Sequence, residues 1–155
     1  PKPGNPVEWH GVTTVKPNRS EAFACAGIED VNRDAGVPPL EDGPLLEVGS
    51  RLLERWSCDQ ILLTLGEQGM LVFSTGSSPA HIPAKAREVF DVSGAGDTAI
   101  AVYTLGICAG LTPVIAARIS NLASSVVVGK LGTTPIEREE LLEAITRDFP
   151  QGVPA

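Results

Sequence analysis

Leu45, Val48, Leu52, Leu53 and Trp56 recur at helical spacing, which predicts an amphipathic helix over residues 44–58 with Pro44 in its first turn. Directly after it, residues 60–65 are almost unbroken apolar, the pattern of a strand covered on both faces. Residues 66–69 read as a turn, residues 70–74 as a returning strand and residues 80–83 as a third. Residues 87–91 then lead into a glycine-rich stretch. Upstream, the β-branched residues within 12–16 predict a strand that Pro17 ends. Residues 20–27 fit a short helix stopped by Gly27, and residues 29–43 form a loop rich in Gly, Pro and acids. Downstream the pattern gives three helices, at about 95–109, 113–128 and 138–148. The apolar stretch 98–111 is too short to span a bilayer and contains two glycines, so it reads as a core helix. Strands alternating with helices predict a layered α/β fold with a largely parallel sheet.

Composition narrows the classes. The chain has 155 residues, 43% hydrophobic and 20% charged, which suits a globular domain that buries roughly two-thirds of its unfolded surface. A net charge of −7 with no Lys/Arg cluster excludes a nucleic-acid binder, which needs cations to displace counterions from a phosphate backbone. Cys25, Cys58 and Cys108 are odd in number and lie outside any CxxC spacing. They read as small buried apolar residues in a reducing cytoplasm. No signal peptide or membrane span is visible. Pro1-Lys2-Pro3-Gly4-Asn5-Pro6 has a loop composition, as though the chain opened partway along a connection.

Residues 91–98 read Asp-Val-Ser-Gly-Ala-Gly-Asp-Thr. Gly94, Ala95 and Gly96 let a backbone turn tightly with its N–H groups uncovered. At a helix start those groups and the positive dipole end suit an anion, phosphate above all. Asp97 then stands where an anion site alone would not put an acid. An amide-lined hollow with a carboxylate at its edge is what phosphoryl transfer to a hydroxyl requires. The same residues satisfy the G-x-G-x-x-A dinucleotide fingerprint, but no acid follows between Asp97 and Glu137 to hold a ribose. A Walker A loop is absent, because Gly129-Lys130 continues with Leu131. The plain alternative is a loop that only packs a helix on a sheet, and the flanking Asp91 and Asp97 weigh against it.

Asp91-x-x-Gly94-Ala95-Gly96-Asp97 resembles the signature of the PfkB-type, ribokinase-like carbohydrate kinases. Three more stretches resemble that family in order and spacing. They are Asn18-Arg19-Ser20-Glu21 (its N-x-x-E element), Thr64-Leu65-Gly66-Glu67-Gln68-Gly69 (its T-x-G-x-x-G loop), and Asn121 with residues 126–133. The resemblance covers residues 1–147 and implies a ribokinase-like three-layer fold, of which this chain would be the C-terminal half, residues 1–150, with a tail at 151–155. Residues 66–70, 81–83, 87–91 and 126–133 are most similar to one branch, the kinases of bacterial ADP-heptose synthesis for the lipopolysaccharide core. These phosphorylate D-glycero-β-D-manno-heptose 7-phosphate at its anomeric hydroxyl. Another sugar, or a nucleotide-binding module without an acceptor site, are the alternatives.

What the resemblance implies can be placed residue by residue. Asp97 would be the base that deprotonates the acceptor, and Gly94, Ala95 and Gly96 would offer amides to the migrating phosphoryl group. Thr64, Gly66 and Gly69 would shape the ATP site, with Asn121 near the adenine. Asn18 and Glu21 would hold Mg2+ and its waters. Asp91 and Ser93 resemble ligands of the K+ that some members use. Partners would be ATP, a sugar or sugar phosphate, and either an N-terminal sugar-binding half or a second copy. Plainer roles stand beside these. Asn18 could cap the helix near Ser20, Thr64 could simply end a strand, and Asn121 could be a satisfied core amide. His81 reads as a strand-end surface residue, and Lys130 as neutralising a helix C-terminus. Residues 137–140 read as a solvated helix start whose acids suit the dipole.

Overall fold

The computed structural model describes residues 1–2, 4, 7, 9–85, 90–132 and 134–154. Most of the segment expected at 87–91, parts of the opening 1–6 and Thr133 lie outside the described residues. The chain forms two compact units, Pro1–Pro83 and Ala84–Ala155.

The first unit is a four-stranded sheet with two helices. Its strands are β1 (Thr14–Val15), β2 (Gln60–Thr64), β3 (Met70–Ser74) and β4 (Ala80–Ile82), in spatial order β1-β2-β3-β4. The α/β class is the expected one, but the sheet is mixed. Only β1 and β2 run parallel, whereas β2–β3 and β3–β4 are antiparallel. The reason lies in connection length. β1 reaches β2 through two helices, long enough for a parallel crossover, while β2 reaches β3 through a single 3₁₀ turn at Gly66–Gln68, which can only reverse the chain. β2 is buried on both faces, with Ile61, Leu62 and Leu63 fully inaccessible. Each such side chain adds about 1.5–3 kcal/mol relative to exposure.

Helix α1 (Arg19–Ala26) ends at Gly27, whose φ of 68° is left-handed and suits a residue without Cβ. Helix α2 (Gly43–Trp56) begins with Asp42 accepting from the Leu45 amide. It buries Leu45, Val48, Leu52 and Trp56 with Ile61, Leu63, Leu71 and Phe73 of the sheet. Gly49 lies against the Phe73 ring so closely that a Cβ would fall 2.1 Å from it, so α2 sits closer than any side chain would permit.

One buried polar knot ties the loop at 28–42 to both helices. The Arg19 guanidinium donates to both Asp30 carboxylate oxygens and, at 2.8 Å, to Asp42 Oδ2. Asp42 is fully buried and also accepts from Asn32 Nδ2. Burial alone would raise the Asp42 pKa, but the hydrogen bonds from Asn32, Arg19 and the Leu45 amide outweigh it and hold the carboxyl below its usual range.

The second unit is helical: α3 (Ala95–Cys108), α4 (Pro113–Val128) and α5 (Arg138–Asp148). α3 and α4 pack antiparallel along small residues, and a Cβ on Gly106 would come 2.9 Å from that of Ala116. The buried side chains of Val102, Ile119, Leu122, Ala123, Ala144 and Phe149 form its core. Arg118 stacks 4.2 Å from the Phe149 ring centroid and pairs with Asp148, which also binds Lys85. Two expectations need correction. Cys108 is exposed and Cys25 only partly buried, because each falls off the buried stripe of its helix; Cys58 alone is buried. Lys130 neutralises no helix end: it bonds Glu140 at 2.6 Å and the Pro135 carbonyl, since α5 begins within its reach. Among the described residues no helix is long and apolar enough to cross a membrane.

The Asp42 carboxyl predicts an acid limb. With its folded pKa below the unfolded value, its contribution is complete above the ordinary carboxylate range of about 4 and is lost as pH falls through the lowered value. Asp42→Asn, which retains a capping side chain, should cost about 1–3 kcal/mol at neutral pH and flatten that limb in urea titrations at a series of pH values. A wild-type limb in the variant would assign the acid sensitivity elsewhere.

Candidate functional site

In the second unit the site is the start of α3. Gly94 takes φ 80°, a left-handed conformation in which a side chain would be strained, and so turns the chain into the helix. Among the described residues no side chain caps this N-terminus. The Ala95 amide donates to the Val92 carbonyl at 3.2 Å, and the first intrahelical bond runs from the Thr98 amide to Gly94 at 2.9 Å. The amides of Gly96 and Asp97 therefore carry the unspent donor capacity of the turn, and Ala95 contributes geometry more than a donor. Asp97 projects from the first turn and is exposed.

The approach to the loop is tied down. The amides of Phe90 and Asp91 both donate to the Val128 carbonyl at the end of α4, at 2.8 and 3.3 Å. Asp91 Oδ1 accepts from the Ser93 amide at 2.8 Å. Hydrogen bonds from the Ser93 backbone and hydroxyl, and from the Gly132 amide, hold the Asp91 carboxyl below its usual range. The structure thus brings Asp91 and Ser93 together as an ionised carboxylate beside a hydroxyl, an all-oxygen donor set of the kind a hard cation accepts. Asn121 lies in α4 and is buried, 5% exposed. Neighbouring Ser124 donates its hydroxyl to the Ala95 carbonyl in the first turn of α3. The sequence gives no reason to single it out beyond its four-residue spacing from Ser120.

In the first unit three expected residues meet. Asn18 and Thr64 are partners in a parallel bridge, and the Thr64 amide donates to the Pro17 carbonyl. Asn18 caps α1 through a reciprocal box: Asn18 Oδ1 accepts from the Glu21 amide, and Glu21 Oε2 accepts from the Asn18 amide, both at 2.9 Å. The plainer capping role of Asn18 is thus real. It does not exhaust the pair, because Glu21 retains a second carboxylate oxygen and Asn18 Oδ1 a second lone pair. Both are oxygens, so the donor chemistry fits magnesium and its waters. Among the described residues there is no group of three or more His, Cys, Asp and Glu side chains placed for a metal.

Gly66 and Gly69, at φ 60° and 88°, close the turn after Thr64, with the Leu65 amide bonded to the Gly69 carbonyl at 2.8 Å. His81 is neither at a strand end nor simply a surface residue: it sits mid-β4, and its Nε2 lies 2.7 Å from the Gln68 carbonyl, bracing that turn. Gln68 in turn donates to the Val37 carbonyl at 3.0 Å.

A family model described as "pfkB family carbohydrate kinase" matches residues 8–140. The chain is similar to the bifunctional protein HldE of Pelobacter propionicus, 39% identical over 150 residues that make up 94% of this chain and 28% of that protein. HldE of Geobacter sulfurreducens is likewise 39% identical over 145 residues, 94% of this chain and 28% of its own length. The chain therefore spans about 28% of these relatives. Among solved structures, a ribokinase from Thermotoga maritima superposes with a TM-score of 0.73 at 20% identity, over 89% of this chain and 43% of that one. Phosphofructokinase-2 from Escherichia coli in complex with potassium gives 0.73 at 18% identity, over 87% and 40%. At that identity these two likenesses concern the fold.

The double duty of Asn18 is testable. Asn18→Ala should destabilise the chain by about 1 kcal/mol through the lost cap, whereas Asn18→Ser, which still caps, should stay within a few tenths. If magnesium protects the wild type from thermal unfolding in the presence of nucleotide, Asn18→Ser should reduce that protection while leaving the metal-free midpoint in place.

Proposed function

The chain belongs to the pfkB family of carbohydrate kinases, and from that membership we propose that it carries the phosphoryl-transfer machinery of a sugar kinase that uses ATP. The observation that carries the reading is the uncapped first turn of α3, where amides left without a side-chain acceptor stand beside the exposed carboxylate of Asp97.

The roles follow from the chemistry of each group. The Gly96 and Asp97 amides, backed by the helix dipole, would stabilise the charge on the equatorial oxygens of the migrating phosphoryl, a contribution of a few kcal/mol per donor. Gly94 supplies the left-handed turn that aims them, and Ala95 the small side chain that leaves the approach open. The Asp97 carboxylate would accept the proton of the attacking sugar hydroxyl as the new O–P bond forms and the bond to the nucleotide diphosphate breaks. In the first unit, Asn18 and Glu21 would hold magnesium, which neutralises phosphate charge when bound. Thr64 and the Gly66–Gly69 turn would contact the nucleotide, and Asn121 in the second unit would lie toward its base. Asp91 and Ser93 would hold a monovalent cation such as K+, a role supported by their joint oxygen set. Such an ion would stiffen the segment leading into the glycine turn.

The acceptor we propose is heptose 7-phosphate, phosphorylated at its anomeric hydroxyl. Its support is the sequence likeness of residues 66–70, 81–83, 87–91 and 126–133 to that branch, together with the HldE relatives. A second reading is favoured by the share of those relatives that the chain spans: a nucleotide-binding part that takes its sugar contacts from other polypeptide, whether an N-terminal half or a partner subunit. Sugar-dependent ADP release, assayed on this chain and on a form extended at its N-terminus, separates the two.

Mg-ATP or Mg-ADP at millimolar concentration should raise the melting temperature, because a ligand that binds only the folded state must stabilise it. A flat response from folded protein would remove the kinase reading. In a form that turns over sugar, Asp97→Asn should lower kcat roughly 10²–10⁴-fold with nucleotide affinity unchanged. Retained turnover would take the base role from Asp97.

A further inference from the structure

Three described helices begin with a side chain that accepts from a first-turn amide: Asn18 on α1, Asp42 on α2 and Thr112 on α4; on α5 Glu140 instead reaches back to the Glu137 amide. α3 begins with Gly94 and has no such bond. A capping oxygen there would occupy the amides that a phosphoryl group needs. Its absence leaves the turn without the usual local restraint, so something outside the helix must hold it.

That restraint comes from α4. The buried Ser120 hydroxyl donates to the Ala99 carbonyl at 2.8 Å, and the Ser124 hydroxyl donates to the Ala95 carbonyl at 3.3 Å. Serines four residues apart on one face of α4 thus meet carbonyls four residues apart on one face of α3. The third contact of the row is Gly106 against Ala116, close enough that a Cβ would meet its neighbour at 2.9 Å. Two antiparallel helices lined by Ala, Gly and Ser approach near enough for a short hydroxyl to bridge backbone to backbone. A larger residue at Gly106 or Ala116 would hold the helices further apart.

We propose that Ser124, with Ser120 one turn behind it, is a positioning residue: it clamps the uncapped first turn of α3 from the neighbouring helix and so keeps the Gly96 and Asp97 amides and the Asp97 carboxylate in register. The identity of what the turn binds rests on the kinase reading; the clamp rests on the hydrogen bonds themselves.

The test compares Ser124→Ala, Ser124→Thr and Ser125→Ala with the wild-type chain. Ser125 is the control, because its hydroxyl donates within α4 to Leu122. The first readout is hydrogen exchange at the amides of residues 98–100 without ligand, and the second is Mg-ADP affinity by calorimetry. Ser124→Ala should exchange about five- to tenfold faster at those amides and bind Mg-ADP about five- to tenfold more weakly, the scale of one lost hydrogen bond. Ser124→Thr, which keeps the hydroxyl, should restore both, and Ser125→Ala should move neither. Wild-type exchange at 98–100 in Ser124→Ala would overturn the clamp, as would faster exchange spread equally along the chain. Faster exchange confined to 98–100, in a chain whose wild-type form ignores Mg-ADP, would uphold the clamp and overturn the kinase reading instead.

Discussion

A helix that is to hold a phosphate on its first turn cannot also cap that turn with its own side chain. On the kinase reading proposed above, the start of α3 is shaped by this conflict. Gly94 in the left-handed region makes the turn without placing an oxygen over the amides, and Ala95 and Gly96 add no bulk beyond a single methyl. Order lost locally returns from two outside sources. The segment before the loop hangs from the Val128 carbonyl through the Phe90 and Asp91 amides, and the helix itself is held by hydroxyls from α4. A free amide pair and a fixed position are compatible only because the fixing groups act on carbonyls.

The first unit resolves the same conflict differently. Asn18 and Glu21 cap α1 reciprocally, yet each keeps an oxygen lone pair in reserve, so capping and cation binding can share the pair. The next residue, Arg19, anchors that turn to Asp30 and the fully buried Asp42, which is itself the cap of α2. Removing Asp42 would therefore leave both Arg19 and the α2 amides short of a partner. One buried carboxylate thus sets the attitude of two helix starts.

Much of this was legible in the residues. The helical spacing of Leu45 to Trp56 located α2, and the boundaries of α4 and α5 were readable from Pro113 and the acids at 137–140. The apolar block at 60–65 announced a strand buried on both faces. These follow from local periodicity and from caps, which act over three or four residues. The glycine turn with its two flanking acids was legible for the same reason, since every group that defines it lies within eight positions.

Other features could be decided only in three dimensions. The short turn at 66–69 already marked 70–74 as a returning strand, but that β4 also pairs antiparallel with β3, leaving only β1 and β2 parallel, was not legible, because pattern along one strand is silent on its neighbour's direction. His81 braces the Gln68 carbonyl 13 positions away, and Ser124 reaches Ala95 across 29. A serine in a helix carries no mark of the partner it will meet. The chain by itself thus settled its elements and the glycine turn suited to an anion, both consequences of short-range backbone chemistry, while its motifs carried the likeness to its family. Which serine holds that turn, which carboxylate orders α1, and which cysteine is exposed were decided by packing, because a hydrogen bond between distant residues exists only once the helices that carry them have closed.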